Sequence, residues 1–213
     1  MDFEAAREKL IDELKLEGIK DVKVLEAFSK IHRDLFVPDE MLSESYANIP
    51  LPIGYGQTIS QPYTIAIMLE ALGLKPGDKV LEAGTGSGYN AALIGHIVGS
   101  KGKVFTTEIV PELVNRSKDK IRGVGLKNIK VVNCDGSLGY AKEAPYDKII
   151  VTAACREIPP LLLEQLRDNG VLVAPVGSRH EQRMLKVRKT GNKLDIKSLG
   201  FFVFVPLKGA YEP

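Results

Sequence analysis

The 213-residue chain has 44% hydrophobic and 26% charged residues and a formal net charge of +2, which excludes a disordered polymer and gives a polyanion-binding role no footing. Cys134 and Cys155 form no CxxC and are too few for a disulfide framework, which indicates a reducing compartment. The amino terminus is charged rather than signal-like, and no stretch approaches the ~18 apolar residues of a membrane span, so a soluble, cytoplasmic protein with no membrane or nucleic-acid partner is expected.

Phe3, Leu10, Ile11 and Leu14 recur at helical spacing, and Asp21 reads as the N-cap of a second helix reaching about Ile31. LPIGYGQTISQPY (51–63) follows, rich in hydroxyl donors and empty of any catalytic base. Ser60-Gln61-Pro62 reads as N-cap through first turn of a helix ending near Leu74, where Pro76-Gly77-Asp78 turns the chain. Short apolar runs, KVLEAG, KVFTTEI, IKVVNC, DKIIVTAA and VLVAPV, then alternate with helix-like stretches at 90–98, 111–121 and 159–166. This alternation predicts an α/β fold with a doubly wound, mostly parallel sheet. In the tail, 184–187 and 194–199 bracket Thr190-Gly191-Asn192 as an antiparallel hairpin, with FFVFVPL as one more strand. No repeat or linker divides the chain, so 1–213 reads as a single domain in three parts, 1–60, 61–177 and 178–213. Nothing dictates an oligomer; a monomer is the default and a homo-oligomer the alternative.

VLEAGTGSGYN leaves the first parallel strand with Gly84, Gly86 and Gly88 on alternate positions, where the backbone of an open α/β sheet approaches a ligand. The dinucleotide fingerprint fails because Tyr89 stands where its third glycine belongs. No Walker A motif is present, and a G-x-S-x-G elbow fails at Thr85 and Tyr89.

The pattern acidic-x-Gly-x-Gly-x-Gly, from Glu82 to Gly88, resembles the first motif of class I S-adenosylmethionine-dependent methyltransferases. The resemblance implies a cofactor site made of Glu82, Ala83, Gly84, Thr85, Gly86, Ser87 and Gly88. Glu108, at the end of the next strand with Ile109 beside it, is placed to take the ribose hydroxyls, and Asp135 with Gly136 to take the adenine amino group. PIGYGQTIS, PYDKIIVTAA, GVLVAPVG and FVPL, taken with this core, are similar to protein-L-isoaspartate O-methyltransferases over 51–207. That resemblance implies transfer of a methyl group from S-adenosyl-L-methionine, leaving S-adenosyl-L-homocysteine. The acceptor is the free α-carboxylate of L-isoaspartyl and D-aspartyl residues in damaged proteins, and the ester then closes to a succinimide. It makes 1–60 a helical elaboration with a substrate loop, 61–177 the cofactor core and 178–213 the terminal strands. One departure is visible: Tyr63 follows the loop proline where many members have His.

A carboxylate is ionised at neutral pH, so methylating one needs donors and no base. In an extended segment Thr58 and Ser60 share one side, and the helix starting near Gln61 is expected to add N–H groups. Thr58 and Ser60 are thus the candidate catalytic residues, although Ser60 also reads as a plain N-cap. Thr58, Ile59 and Ser60 with Val203, Phe204 and Val205 form the expected substrate site. His32, His96 and His180 are scattered, and no metal site is expected. Two other readings are a methyltransferase for nucleic acid or small molecules and a non-catalytic cofactor-binding regulator. Thr152-Ala153-Ala154-Cys155 stands where amino-methylating enzymes carry Asn/Asp-Pro-Pro-aromatic.

Overall fold

The computed structural model describes residues 2–213. Helices α1 (Phe3–Leu16) and α2 (Val22–Lys30) start at Asp2 and Asp21, whose carboxylates accept N–H bonds of their own first turns. Their apolar stripes, including Leu10, Leu14, Val24 and Phe28, are buried against α3 (Pro62–Leu72) and α4 (Tyr89–Val98). Glu70 of α3 ties these layers together, accepting the N–H groups of Lys20 and Asp21 at 2.7 and 2.6 Å.

The glycine-rich opening loop is a hairpin of β1 (Leu51–Gly54) and β2 (Gln57–Ile59). Its turn residues Tyr55 and Gly56 have φ of 56° and 70°, the double positive φ that suits a two-residue hairpin. Ser60 does not cap α3, contrary to the sequence reading; the N-cap is Gln61, because Pro62 opens the helix at N1.

The main sheet comprises β3 (Lys79–Ala83), β4 (Lys103–Glu108), β5 (Ile129–Asn133), β6 (Tyr146–Val151), β7 (Leu166–Gly177), β8 (Gln182–Thr190) and β9 (Lys193–Phe202). Their order is β5-β4-β3-β6-β7-β8-β9, parallel through β7 and antiparallel from β8; the mostly parallel sheet and the antiparallel hairpin are as the sequence predicts, whereas it specified no strand order. Helices α1 to α4 and α5 (Pro111–Gly123) pack on one face, and α6 (Pro160–Gln165) packs on the other. β3 and β4 are buried on both faces after their first residues, and the polar Glu82, Thr106, Thr107 and Glu108 within them are buried too. The strand order reverses between β3 and β6, so the loops after their carboxyl ends flank a crevice.

FFVFVPL is not a further strand. Phe201 and Phe202 end β9, and 203–205 leave the sheet; Val203 is 76% exposed. Pro206 has no N–H to donate to a ladder, so only a single parallel bridge to Ala154 forms. The chain there crosses the carboxyl edge instead: Val205 accepts the Ala154 N–H at 2.8 Å, and the Leu207 N–H reaches Ala154 at 2.7 Å.

Candidate active site

The glycine loop stands on a buried polar base. Glu82 is fully buried, accepting from Asn90 Nδ2 at 2.7 Å and Thr106 Oγ1 at 2.5 Å, while Thr106 also bonds Thr85 Oγ1 at 2.6 Å. Burial raises the Glu82 carboxyl to about 7, against the hydrogen bonds of Thr106 and Asn90, which favour the ionised form. Glu82, which the sequence put in the cofactor site, does not line the inner compartment; it holds Asn90 directly and Thr85 through Thr106, and both of those line it. Gly84, at φ 103°, has Thr152 Oγ1 directly where a side chain would begin, and that hydroxyl donates to the Gly84 carbonyl at 2.5 Å. Gly88 and Ala83 likewise support the loop without lining the cavity, whereas Gly84, Thr85, Gly86 and Ser87 line it.

Glu108 closes β4 with both carboxylate oxygens fixed, accepting from the Gly86 and Val110 N–H groups, each at 2.9 Å. It lines two small compartments, of about 50 and 30 Å³, the second shared with Ile109 and Gly136. A side chain at Gly136 would meet Thr107 Oγ1 at 2.6 Å, so this close approach needs glycine. Asp135, expected at the adenine, is engaged within the protein. Its Oδ1 accepts from the Ser137 N–H and Oγ at 2.8 and 2.6 Å, and Oδ2 takes the Ala210 N–H at 3.0 Å. Both oxygens serve the turn and the tail, and Asp135 is absent from both compartment walls. The tail roofs the site: Pro206, Leu207 and Lys208 line the second compartment, and Lys208 Nζ reaches the Tyr55 carbonyl at 3.4 Å.

In β2 the alternation holds. Ile59 is buried, while the half-buried Thr58 and Ser60 face outward, with neither hydroxyl engaged in a hydrogen bond among the described residues. The expected donors at the start of α3 are spoken for: Pro62 has none, and the Tyr63 N–H donates to Asn48 Oδ1 at 3.0 Å. A residue the sequence reading missed anchors this loop. Arg33, fully buried, donates to the carbonyls of Ser45 (2.6 Å), Ile49 (3.1 Å) and Ser60 (3.2 Å), and burial lowers its guanidinium to about 10.

A groove of about 470 Å³ lies outside, lined by Ser60, Tyr63 and residues 201–205 among others. Thr58, Ser60 and Val205 border both this groove and the inner compartment, so the two spaces meet at these three residues. Ile59 and Val205 also line the inner compartment; Val203 and Phe204 line only the groove. A larger cavity of about 670 Å³ lies at the amino ends of β4 and β5 and contains none of these residues. No group of three metal-ligating side chains occurs among the described residues.

The inner site suits a nucleoside bearing an amino-acid arm. Glu108 offers acceptors beside a glycine backbone, and Asn90 on the wall keeps a buried Oδ1 with no partner. The protein-L-isoaspartate(D-aspartate) O-methyltransferase family model matches residues 5–212. A protein-L-isoaspartate O-methyltransferase of Dictyoglomus thermophilum is 49% identical over 210 residues, covering 99% of this chain and 94% of the relative. One from Archaeoglobus fulgidus is 47% identical over 211 residues, covering 99% and 96%. A solved protein-L-isoaspartate O-methyltransferase superposes with a TM-score of 0.88 at 33% identity, covering 95% of this chain and 66% of that longer one. A Plasmodium falciparum member, solved with S-adenosyl-L-homocysteine, gives 0.83 at 27% identity, covering 94% and 97%. With this match extending through the site itself, the chain belongs to the protein-L-isoaspartate(D-aspartate) O-methyltransferase family and is an S-adenosylmethionine-dependent methyltransferase.

Proposed function

We propose that this chain repairs damaged proteins by methylating the free α-carboxylate of L-isoaspartyl residues, and the side-chain carboxylate that a D-aspartyl residue leaves free, with Thr58 and Ser60 orienting the acceptor. The observation that carries this reading is the meeting of groove and inner compartment at Thr58, Ser60 and Val205, with two free hydroxyls and no base. Bound in the inner compartment, S-adenosylmethionine supplies an electrophilic methyl group on a sulfonium. Glu108 and the backbone of 84–87 would hold it, with the Asn90 Oδ1 open to an N–H of its amino-acid arm.

The chain's own contribution is alignment. The Ser60 and Thr58 hydroxyls donate to the acceptor carboxylate and aim one oxygen inward; ionised already, it loses no proton. Arg33 fixes the Ser60 backbone from below. Residues 203–205 border the substrate main chain, and Pro206 to Lys208 shut water out from above. Orientation of this kind supplies roughly 7 to 11 kcal/mol. It also separates substrates, because an isoaspartyl α-carboxylate sits one methylene closer to the main chain than a normal aspartyl carboxylate does. We take the chain to work as a single domain, a monomer, in the cytoplasm; no helix among the described residues is long and apolar enough to cross a membrane.

Radiolabelled cofactor offered with paired isoAsp and Asp peptides tests the reading. Label is expected on the isoAsp member, with later release as methanol as the succinimide forms. Equal labelling of the pair, or labelling of RNA alone, would reject it.

A further inference from the structure

One sheet face concentrates positive charge outside the reaction site. Lys148 pairs in register with Val171, Val171 with Arg188, and Arg188 with Asp195, forming one row across β6 to β9. The next row runs from Val173 to Lys186 and from Lys186 to Lys197. Positions two apart on a strand share a face, so Lys148, Lys186, Arg188 and Lys197 lie on the same side of the sheet. It is the side of α3, since Lys148 Nζ donates to the Leu72 carbonyl at 2.7 Å. Helix α3 packs on β6 and β7. Beyond it Lys186 is half-buried, and Arg188 and Lys197 are exposed.

Lys186 directly opposite Lys197 is a like-charge cross-strand pair, an arrangement that destabilises a sheet. None of the four cations forms an ion pair among the described residues. Burial lowers Lys186, and Arg188 and Lys197 lower it further. Burial likewise lowers Lys148; Asp78 opposes this, while Lys75, Arg188 and Lys186 add to it. Asp195, opposite Arg188, is the one acid in these two rows against four cations, and the molecule as a whole carries only +2, so this face holds more than its share.

We propose that the face formed by Lys186, Arg188 and Lys197, beyond the edge of α3, docks acidic segments of the protein substrate that flank the residue in the groove. Charge complementarity supplies the attraction, and continuity supplies the occupant. β9 runs directly from Lys197 into the groove residues, and the six positions to Val203 span about 20 Å of extended chain. A substrate leaving the groove along this strand would lay carboxylates five to seven residues from the damaged site over the stripe. This inference rests on the methyl-acceptor reading above.

The test uses one isoAsp core peptide with six-residue extensions at either end that are acidic, neutral or basic. At low salt the acidic form should show a KM ~3- to 10-fold below the neutral one, the sum of two or three exposed ion pairs. That advantage should vanish at 0.5 M salt and in Lys186→Glu/Lys197→Glu, which leaves the neutral peptide's kinetics unchanged. Lys197→Glu alone removes the like-charge pair, so it should lose the acidic preference without any fall in Tm. A labelled acidic peptide lacking isoAsp, titrated by fluorescence anisotropy, reads the face independently of catalysis: it should bind wild type and not the double variant. Inactivity on the neutral isoAsp peptide would sink the methyl-acceptor reading while this titration still judged the face. Equal KM for all extensions, an acidic advantage that survives in the variants, or binding of polyuridylate in preference to the acidic peptide would overturn the proposal.

Discussion

Glu82→Gln should change how stability depends on pH. The wild-type carboxyl, fully buried, is raised to about 7 from an ordinary 4.5. A raised carboxyl pKa means the folded state binds the proton more tightly. The group's handicap is therefore absent below about 4.5, grows as pH rises towards 7, and is constant above that. A difference of about 2.5 pH units at 1.36 kcal/mol each sets the handicap at about 3 kcal/mol. Glutamine keeps the shape and carries no charge to bury. Urea unfolding of both proteins from pH 4 to pH 8 is the assay: the variant should gain about 3 kcal/mol relative to wild type across that range, with most of the change between pH 4.5 and 7. A stability difference that is flat with pH would show that Glu82 titrates as an exposed acid, and that Asn90 and Thr106 fully offset its burial.

Glu108→Gln should weaken S-adenosyl-L-homocysteine binding by about 1 to 3 kcal/mol in calorimetry; unchanged affinity would refute its place on the ribose. Ser60→Ala should cut kcat/KM about 10-fold or more through loss of a donor to a charged group, yet move stability by less than about 0.5 kcal/mol, since Ser60 caps nothing. A loss of stability matched by full activity per folded molecule would make it merely structural. Arg33→Met strands the carbonyls of Ser45, Ile49 and Ser60 and should cost about 2 to 4 kcal/mol in urea unfolding, with Arg33→Lys recovering part of it. A cost under about 1 kcal/mol would mean water replaces the guanidinium.

Much of this architecture was legible because parallel strands buried on both faces write themselves as apolar runs, and the glycine loop declares its strand end. The shared, half-buried placement of Thr58 and Ser60 followed from alternation around a buried Ile59. What stayed hidden depends on partners distant in the chain. Asp135 looked free for a ligand because the Ala210 N–H that occupies it lies 75 residues away. Arg33 gave no local cue, since its acceptors are backbone carbonyls, which every residue possesses. Thr106 and Thr107, two buried hydroxyls in a central strand, were a signal that such partners existed; one bonds the Glu82 carboxylate and the other the Glu82 carbonyl. FFVFVPL misled because its composition suits a strand, while after Phe202 the chain leaves the sheet and Pro206 limits its pairing to a single bridge with Ala154.

The roof over the cofactor compartments has a kinetic consequence. With Pro206 to Lys208 in place the second compartment measures about 30 Å³, far below the ~300 Å³ at which small-molecule sites begin. A nucleoside-sized molecule extending into this compartment should displace the strap, and so should its spent form on the way out. The Asp135 bond to Ala210, the Arg156 N–H on the Tyr211 carbonyl and the Arg179 pair with Glu212 are the latches that open. Loosening any of them should speed exchange at both ends of the catalytic cycle and weaken retention equally, so residence time can be tuned from a part of the chain that never touches the transferred methyl group.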